Sequence, residues 1–176
     1  MLMKIGILLL AVLAAFTFYV ASRPSEYLVF REISIQAAPE RVFSFFNSAR
    51  RTESWMPWSA MDPQMKMSYS GPEEGVGSKA SWDSPGKMGT GSSTIVESVE
   101  NRSVKVDLEY VKPFQMHQVA EISIRPSGGQ SVVRWSVSGK SGFVGKAMSL
   151  VMNCDKMIGG SFEKGLAKLK TLAEKP

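Results

Sequence analysis

The rhythm of hydrophobic and polar positions changes several times along this chain, and each change marks an element. Residues Ile5 to Val20 are apolar without a break. A helix packed on a globular core keeps one polar side, so a run with none predicts a membrane-crossing segment. At about 1.5 Å per residue this run reaches roughly 24 Å. Ala21-Ser22, with Lys4 snorkelling at the other end, extend it toward the hydrocarbon thickness of about 30 Å. Tyr27, Val29, Arg31, Ile33 and Ile35 then alternate with Leu28, Phe30, Glu32 and Ser34, the period of a strand. Ala38-Pro39-Glu40 predicts a helix start, because proline suits the first turn and an acid suits the positive helix end. Val42, Phe43, Phe45 and Phe46 give that helix an apolar face, and Arg50 to Trp58 reads as a short irregular or helical piece.

From Met65 to Val137 the period is two almost throughout. The strands run through Met65-Met67-Tyr69, Ala80-Trp82, Thr94-Val96-Ser98, Val104 to Tyr110, Met116 to Ile124 and Val133 to Val137. Turns at Asn101-Arg102, Lys112-Pro113-Phe114 and Ser127 to Gln130 separate the later ones. Each strand has an apolar and a charged face, which predicts an antiparallel sheet in hairpin order, packed on one side. The inward positions are then the even ones, 80, 82, 94, 96, 98, 106, 108, 110 and 116 to 124. Phe143 to Met152 allows one or two helical turns. Ile158, Phe162, Leu166, Leu169 and Leu172 recur at helical spacing, the stripe of an amphipathic helix whose one burial place is the apolar side of the sheet. The prediction is an α+β domain over 24–176, with six to seven antiparallel strands packed on a long C-terminal helix, behind an N-terminal segment over 1–23.

That segment has a competing reading as a cleaved signal peptide, whose apolar region is usually about 7–15 residues before an A-x-A-like site. Val20-Ala21-Ser22 is a weak match, so the uncut single-span anchor through residues 5–22 is preferred. Lys4 and the amino terminus against Arg23 place the N-terminus in the cytoplasm. The domain is then expected on the outer, periplasmic side of the inner membrane.

Composition narrows the chemistry. A formal net charge of +5, evenly spread, does not make a nucleic-acid face. One cysteine, Cys154, excludes an internal disulfide and a multi-cysteine metal site, and one histidine, His117, excludes histidine-cluster sites. Neither a metal nor an organic cofactor is implied. Gly139-Lys140-Ser141 lacks the upstream glycine of a phosphate loop, since Arg134 stands there. Glu97, Asp107 and Glu109 share the solvent face with Lys105 and read as surface charge. His117 falls on the outward parity, and Cys154 precedes the last helix without further support for a reactive role.

Several stretches carry a family resemblance. They are Ala38-Pro39-Glu40-Arg41-Val42-Phe43, Trp55-Met56-Pro57-Trp58, Tyr69-Ser70-Gly71-Pro72, Gly75-Val76-Gly77, Ser81-Trp82, and Asp155 to Gly159 running into Phe162 to Leu166. Together with the element order, this text resembles the START/Bet v 1-like (SRPBCC) superfamily. Its nearest branch is that of the polyketide cyclase/dehydrase and lipid-transport-like proteins, in their membrane-anchored bacterial form. The resemblance covers nearly everything from Tyr27 on. It implies a helix-grip fold with an apolar cavity between a curved sheet and the last helix, and no invariant catalytic set.

On the residues alone, Tyr110, Gln118, Thr94 and Ser98 place polar atoms on an apolar interior, which suits either a ligand cavity or a filled core bonded to backbone. The resemblance favours the cavity. Trp58 and Trp82, with Trp55, form either an aromatic rim or core under a loop. Met65, Met67, Met116, Met148, Met152 and Met157 are placed where an adaptable lining would serve. The expected ligand-contacting residues are Trp58, Trp82, Tyr110, Met116, Gln118, Trp135, Met148 and Met152, and no residue is assigned as catalytic. The expected function is membrane-tethered binding of a hydrophobic small molecule or lipid. The alternatives are a cyclase or dehydratase acting on a hydrophobic carbonyl compound, and a structural domain with a filled core. Gly159, Gly160 and Gly165 are unusual inside a helix and suggest close approach to the sheet, room for a ligand, or a kink.

Overall fold

The computed structural model of the chain describes residues 2–58, 62–86, 88–150 and 153–175. The apolar run forms helix α1 (Leu2–Ser22), exposed along most of its length and meeting the rest of the chain at its C-terminal turn, where Val20 is buried and Lys146 Nζ donates to the Ala21 carbonyl. Over Lys4–Ser22 its mean hydropathy is 2.3, and its length and composition suit a membrane span and a signal sequence alike.

Seven strands follow: β1 (Glu26–Ile35), β2 (Lys66–Ser70), β3 (Lys79–Asp83), β4 (Thr90–Val99), β5 (Ser103–Lys112), β6 (Met116–Ser127) and β7 (Gln130–Lys140). They make one antiparallel sheet in the order β1-β7-β6-β5-β4-β3-β2. All neighbours are hairpin partners except β1, which crosses to pair with β7 from Glu26 against Lys140 to Ile35 against Ser131. Between β1 and β2 come two short helices. Helix α2 (Pro39–Ser44) opens on Pro39, and α3 (Ala49–Glu53) is capped by the Ser48 hydroxyl, which accepts from the Arg51 amide. In the connection between β2 and β3, Gly71, at φ 78°, lies so near the Gly77 carbonyl that no Cβ fits there.

After β7 the chain forms α4 (Phe143–Met148) and then the long α5 (Cys154–Ala173). The Asn153 side chain accepts from the Lys156 amide and Asp155 occupies the first turn, the charge arrangement a helix N-terminus favours. Phe162, Leu166, Leu169 and Ala173 are buried against the sheet. Arg31 of β1 ties the outer side of α5 down, donating to Asp155 at 3.1 Å and to Glu163 at 2.7 Å. This is the antiparallel sheet gripping a C-terminal helix that the periodicity predicts.

The core gathers between sheet and helices around Val29, Ile35, Val42, Phe46, Trp55, Ile122, Val133, Trp135 and Leu166. One inward face differs from the simple alternation. In β4, Ile95 pairs with Val106 and Glu97 with Lys105, leaving Val96 without a partner. This bulge inverts the parity. Ile95 is buried at 3% exposure while Val96 is turned out at 50%. The expectation that Thr94 and Val96 face inward is therefore corrected. Ser98, beyond the bulge, does turn in, and its hydroxyl donates to Asn47 Oδ1 at 2.7 Å.

Candidate functional site

Between the sheet and the helices lies a cavity of about 320 Å³. The volume lies near the lower end of the roughly 300–1,000 Å³ range of small-molecule sites. Its floor comes from strands: Ala80 and Trp82 of β3, Ser93 and Ile95 of β4, Val106, Leu108 and Tyr110 of β5, Met116, Gln118, Ala120 and Ile122 of β6, and Trp135 and Val137 of β7. Ile158 and Phe162 of α5 close one side. Ala49, Thr52, Glu53 and Met56 close another, and Met65, Met67 and Met88 complete the wall.

Few polar groups meet this space, and some are already committed. The Thr52 hydroxyl donates to the Ser48 carbonyl at 2.8 Å. Ser78 Oγ accepts from the Ala49 amide and donates to the Glu73 carbonyl. Gln118 is buried, and its amide donates to the Tyr27 hydroxyl behind the lining. Tyr110 lies edge-on to Trp82, ring centroids 5.5 Å apart. Burial, with Tyr27 nearby, pushes the Tyr110 phenol up to about 12, so it stays a neutral hydrogen-bond donor. Glu53 is the one ionisable carboxylate among the lining residues. The site can therefore hold an apolar body and offer one or two neutral hydrogen bonds.

Of the residues expected to contact a ligand, Trp58, Trp82, Tyr110, Met116, Gln118 and Trp135 are brought together around this cavity. Met148 is elsewhere, half-exposed on α4 and outside the lining, because α4 follows the sheet's end rather than crossing its face. Met152 lies outside the described residues. Trp55 belongs to the core: it is fully buried, its indole donates to the Phe45 carbonyl at 2.9 Å, and it meets Trp135 edge-to-face. His117 is exposed on the outer face and pairs with Asp107.

The pattern missed Tyr27, Glu53, Met56, Met88 and the β4 pair Ser93 and Ile95. Interior strand glycines were the available signal. A side chain at Gly91 would collide with the Trp82 ring, and one at Gly139 would meet the Tyr27 hydroxyl at 2.7 Å. At Gly165 a Cβ would lie 2.9 Å from Trp135. These three glycines make room for the aromatic rings beside the cavity. Gly159 likewise abuts Arg31, whereas nothing approaches Gly160. Among the described residues, no group of three His, Cys, Asp or Glu is placed to hold a metal ion.

A sequence profile described as "Polyketide cyclase / dehydrase and lipid transport" matches residues 28–174. No curated protein matches the sequence. Among solved structures, a point mutant of norcoclaurine synthase from Thalictrum flavum, bound to a transition-state analogue, superposes with TM-score 0.64 at 14% identity, covering 86% of this chain and 96% of that one. A structural-genomics protein from Chromobacterium violaceum gives 0.63 at 14% identity, covering 85% and 98%. The major latex-like protein 151 of Panax ginseng gives 0.58 at 12% identity, covering 85% and 99%. At such identities these likenesses speak to the fold.

Proposed function

Because this chain belongs to the polyketide cyclase/dehydrase and lipid-transport family, we propose that it binds a hydrophobic small molecule or lipid while tethered to a membrane. In this reading, residues 1–23 anchor the protein in the inner membrane and residues 24–176 form the binding domain on the periplasmic side. The observation that carries it is the cavity of about 320 Å³, lined by methionines, tryptophans and aliphatic residues around a few neutral polar groups. Burial of an apolar ligand there gains about 25 cal/mol per Å² removed from water. The methionines adapt to its shape. Tyr110 and Gln118 orient it by hydrogen bonds, and the apolar lining disfavours an anion because burying an unpaired charge is costly.

The test is uptake of the apolar dye N-phenyl-1-naphthylamine by the full chain in a mild detergent, with native mass spectrometry of co-purified molecules. Ala120 lies on the cavity floor at 6% exposure, so Ala120→Phe should fill the space and abolish uptake. Equal dye binding by wild type and an Ala120→Phe variant that still folds would refute the cavity as the binding site.

A second reading has one observation in its favour. A phenol kept neutral inside an apolar cavity can donate to a carbonyl oxygen as charge builds there, the role a cyclase or dehydratase would need. Tyr110→Phe separates the two. Binding reduced by no more than about tenfold, the weight of one hydrogen bond, fits a binding protein. Full loss of turnover with binding retained would establish the enzyme.

A further inference from the structure

We propose that the end of the domain nearest α1 is a bilayer-docking face and that the cavity opens onto it, so that ligand passes between membrane and cavity without crossing water. This rests on the reading of α1 as a membrane span.

The strand registers gather one end of the fold. The start of β1 pairs with the end of β7, Glu26 against Lys140, and the start of β6 pairs with the end of β5, Met116 against Tyr110. The β5–β6 turn and α4 therefore project from the end of the sheet where α1 enters. That end exposes apolar side chains: Phe114 at 81%, Val144 at 70%, with Val111 and Met148 about half exposed. Exposed apolar side chains gathered at one end of a fold point to an interaction site.

The tether identifies the partner. Only residues 23–25 separate α1 from β1, a span of at most about 10 Å at full extension. The structure does not let even that length out. The Ser141 amide donates to the Ser25 carbonyl at 2.7 Å, and Lys146 Nζ donates to the Ala21 carbonyl at 3.1 Å. Helix α4 is thus fastened to the last turn of the span. The apolar core and headgroups of a bilayer differ by only about 5–8 Å per leaflet, so this end lies within the headgroup layer. Arg23, Lys112, Lys140 and Lys146 lie on segments that meet at this end, Lys140 at 3.9 Å from Glu26, and basic residues beside exposed apolar ones favour anionic lipid surfaces. Met116 joins the two features: it lines the cavity and is itself exposed on this face.

The experiment uses the full chain with Cys154→Ser, reconstituted into vesicles of phosphatidylcholine and phosphatidylglycerol in a three-to-one mixture. Single cysteines at Phe114→Cys, Val144→Cys, Leu10→Cys and Val76→Cys carry an environment-sensitive NBD label. Val76 is exposed in the β2–β3 turn at the opposite end of the sheet. Labels at 114 and 144 should shift to the blue and be quenched by doxyl lipids, as the label at 10 is, while that at 76 stays aqueous. A quenched label at 10 with aqueous labels at 114 and 144 overturns the docking face and leaves the anchor standing. An unquenched label at 10 overturns both.

Discussion

Three glycines of α5 test how tightly the helix is pressed on the sheet. Replacing a helix-interior glycine by alanine gains up to about 1 kcal/mol in propensity when the new methyl group meets nothing. Gly160 is such a position, with no atom within 4 Å of an added Cβ. At Gly165 the same methyl group would lie 2.9 Å from Trp135 Cζ3 and 3.2 Å from Pro57 Cδ. Trp135 cannot yield cheaply. It is buried, stacked on Phe162 with ring centroids 3.9 Å apart, and edge-on to Trp55 at 5.1 Å. Overpacking of this kind costs about 1–3 kcal/mol, which cancels or exceeds the propensity gain. Gly160→Ala should therefore stabilise and Gly165→Ala should be neutral to destabilising, a gap of about 1–3 kcal/mol. For a chain of this size that is roughly 2–12 °C in Tm, at about 2–4 °C per kcal/mol. Differential scanning fluorimetry on the full chain in one detergent reads the gap directly. Gly159→Ala should fall between the two, because its obstacle is the mobile end of Arg31, which moves only by loosening its two ion pairs. A Gly165→Ala variant that gains as much as Gly160→Ala would show that the helix does not approach the tryptophan so closely, and the helix wall of the cavity would have to be redrawn.

Two further outcomes follow from particular contacts. Ile95→Ala should cost about 2–5 kcal/mol and Val96→Ala no more than about 0.5, reversing the order expected from strict alternation; urea unfolding measures both. The Arg31 guanidinium holds the Asp155 carboxyl below the usual carboxylate range, mainly through its hydrogen bonds. A carboxylate whose pKa is lower folded than unfolded contributes stability above the ordinary range and loses it as pH falls, here progressively below about pH 5. The Tm deficit of Arg31→Gln should accordingly shrink as the pH is lowered through that window. Asp62, held down by Ser84, and Glu174, held down by the Gln36 amide, keep their own acid sensitivity in the variant. A deficit that stays constant with pH would remove Asp155 from the account.

Much of the architecture was legible because it depends on period alone. The two-residue alternation of β5, β6 and β7, the helical stripe on α5 and the unbroken apolar run of α1 each state where a side chain must go, whatever the rest of the chain does. The same alternation placed Tyr110, Met116, Gln118 and Trp135 on the interior face. Period reasoning stopped at two kinds of place. It failed across the β4 bulge, where one unpaired residue, Val96, reverses the register and hands the cavity to Ser93 and Ile95. It also had no means to separate Trp55, sealed in the core by its bond to the Phe45 carbonyl, from Trp58 and Trp82, which line the space. Both depend on long-range packing: the bulge is recognised only against β5, and the cavity exists only because α3, α5 and the sheet hold apart while Gly91, Gly139 and Gly165 admit rings from neighbouring elements. Apolar faces and their spacing are written locally along the chain, so they could be read from it. Whether those faces close on one another or leave about 320 Å³ between them is a sum of contacts distant in sequence, and the tertiary structure alone decides it.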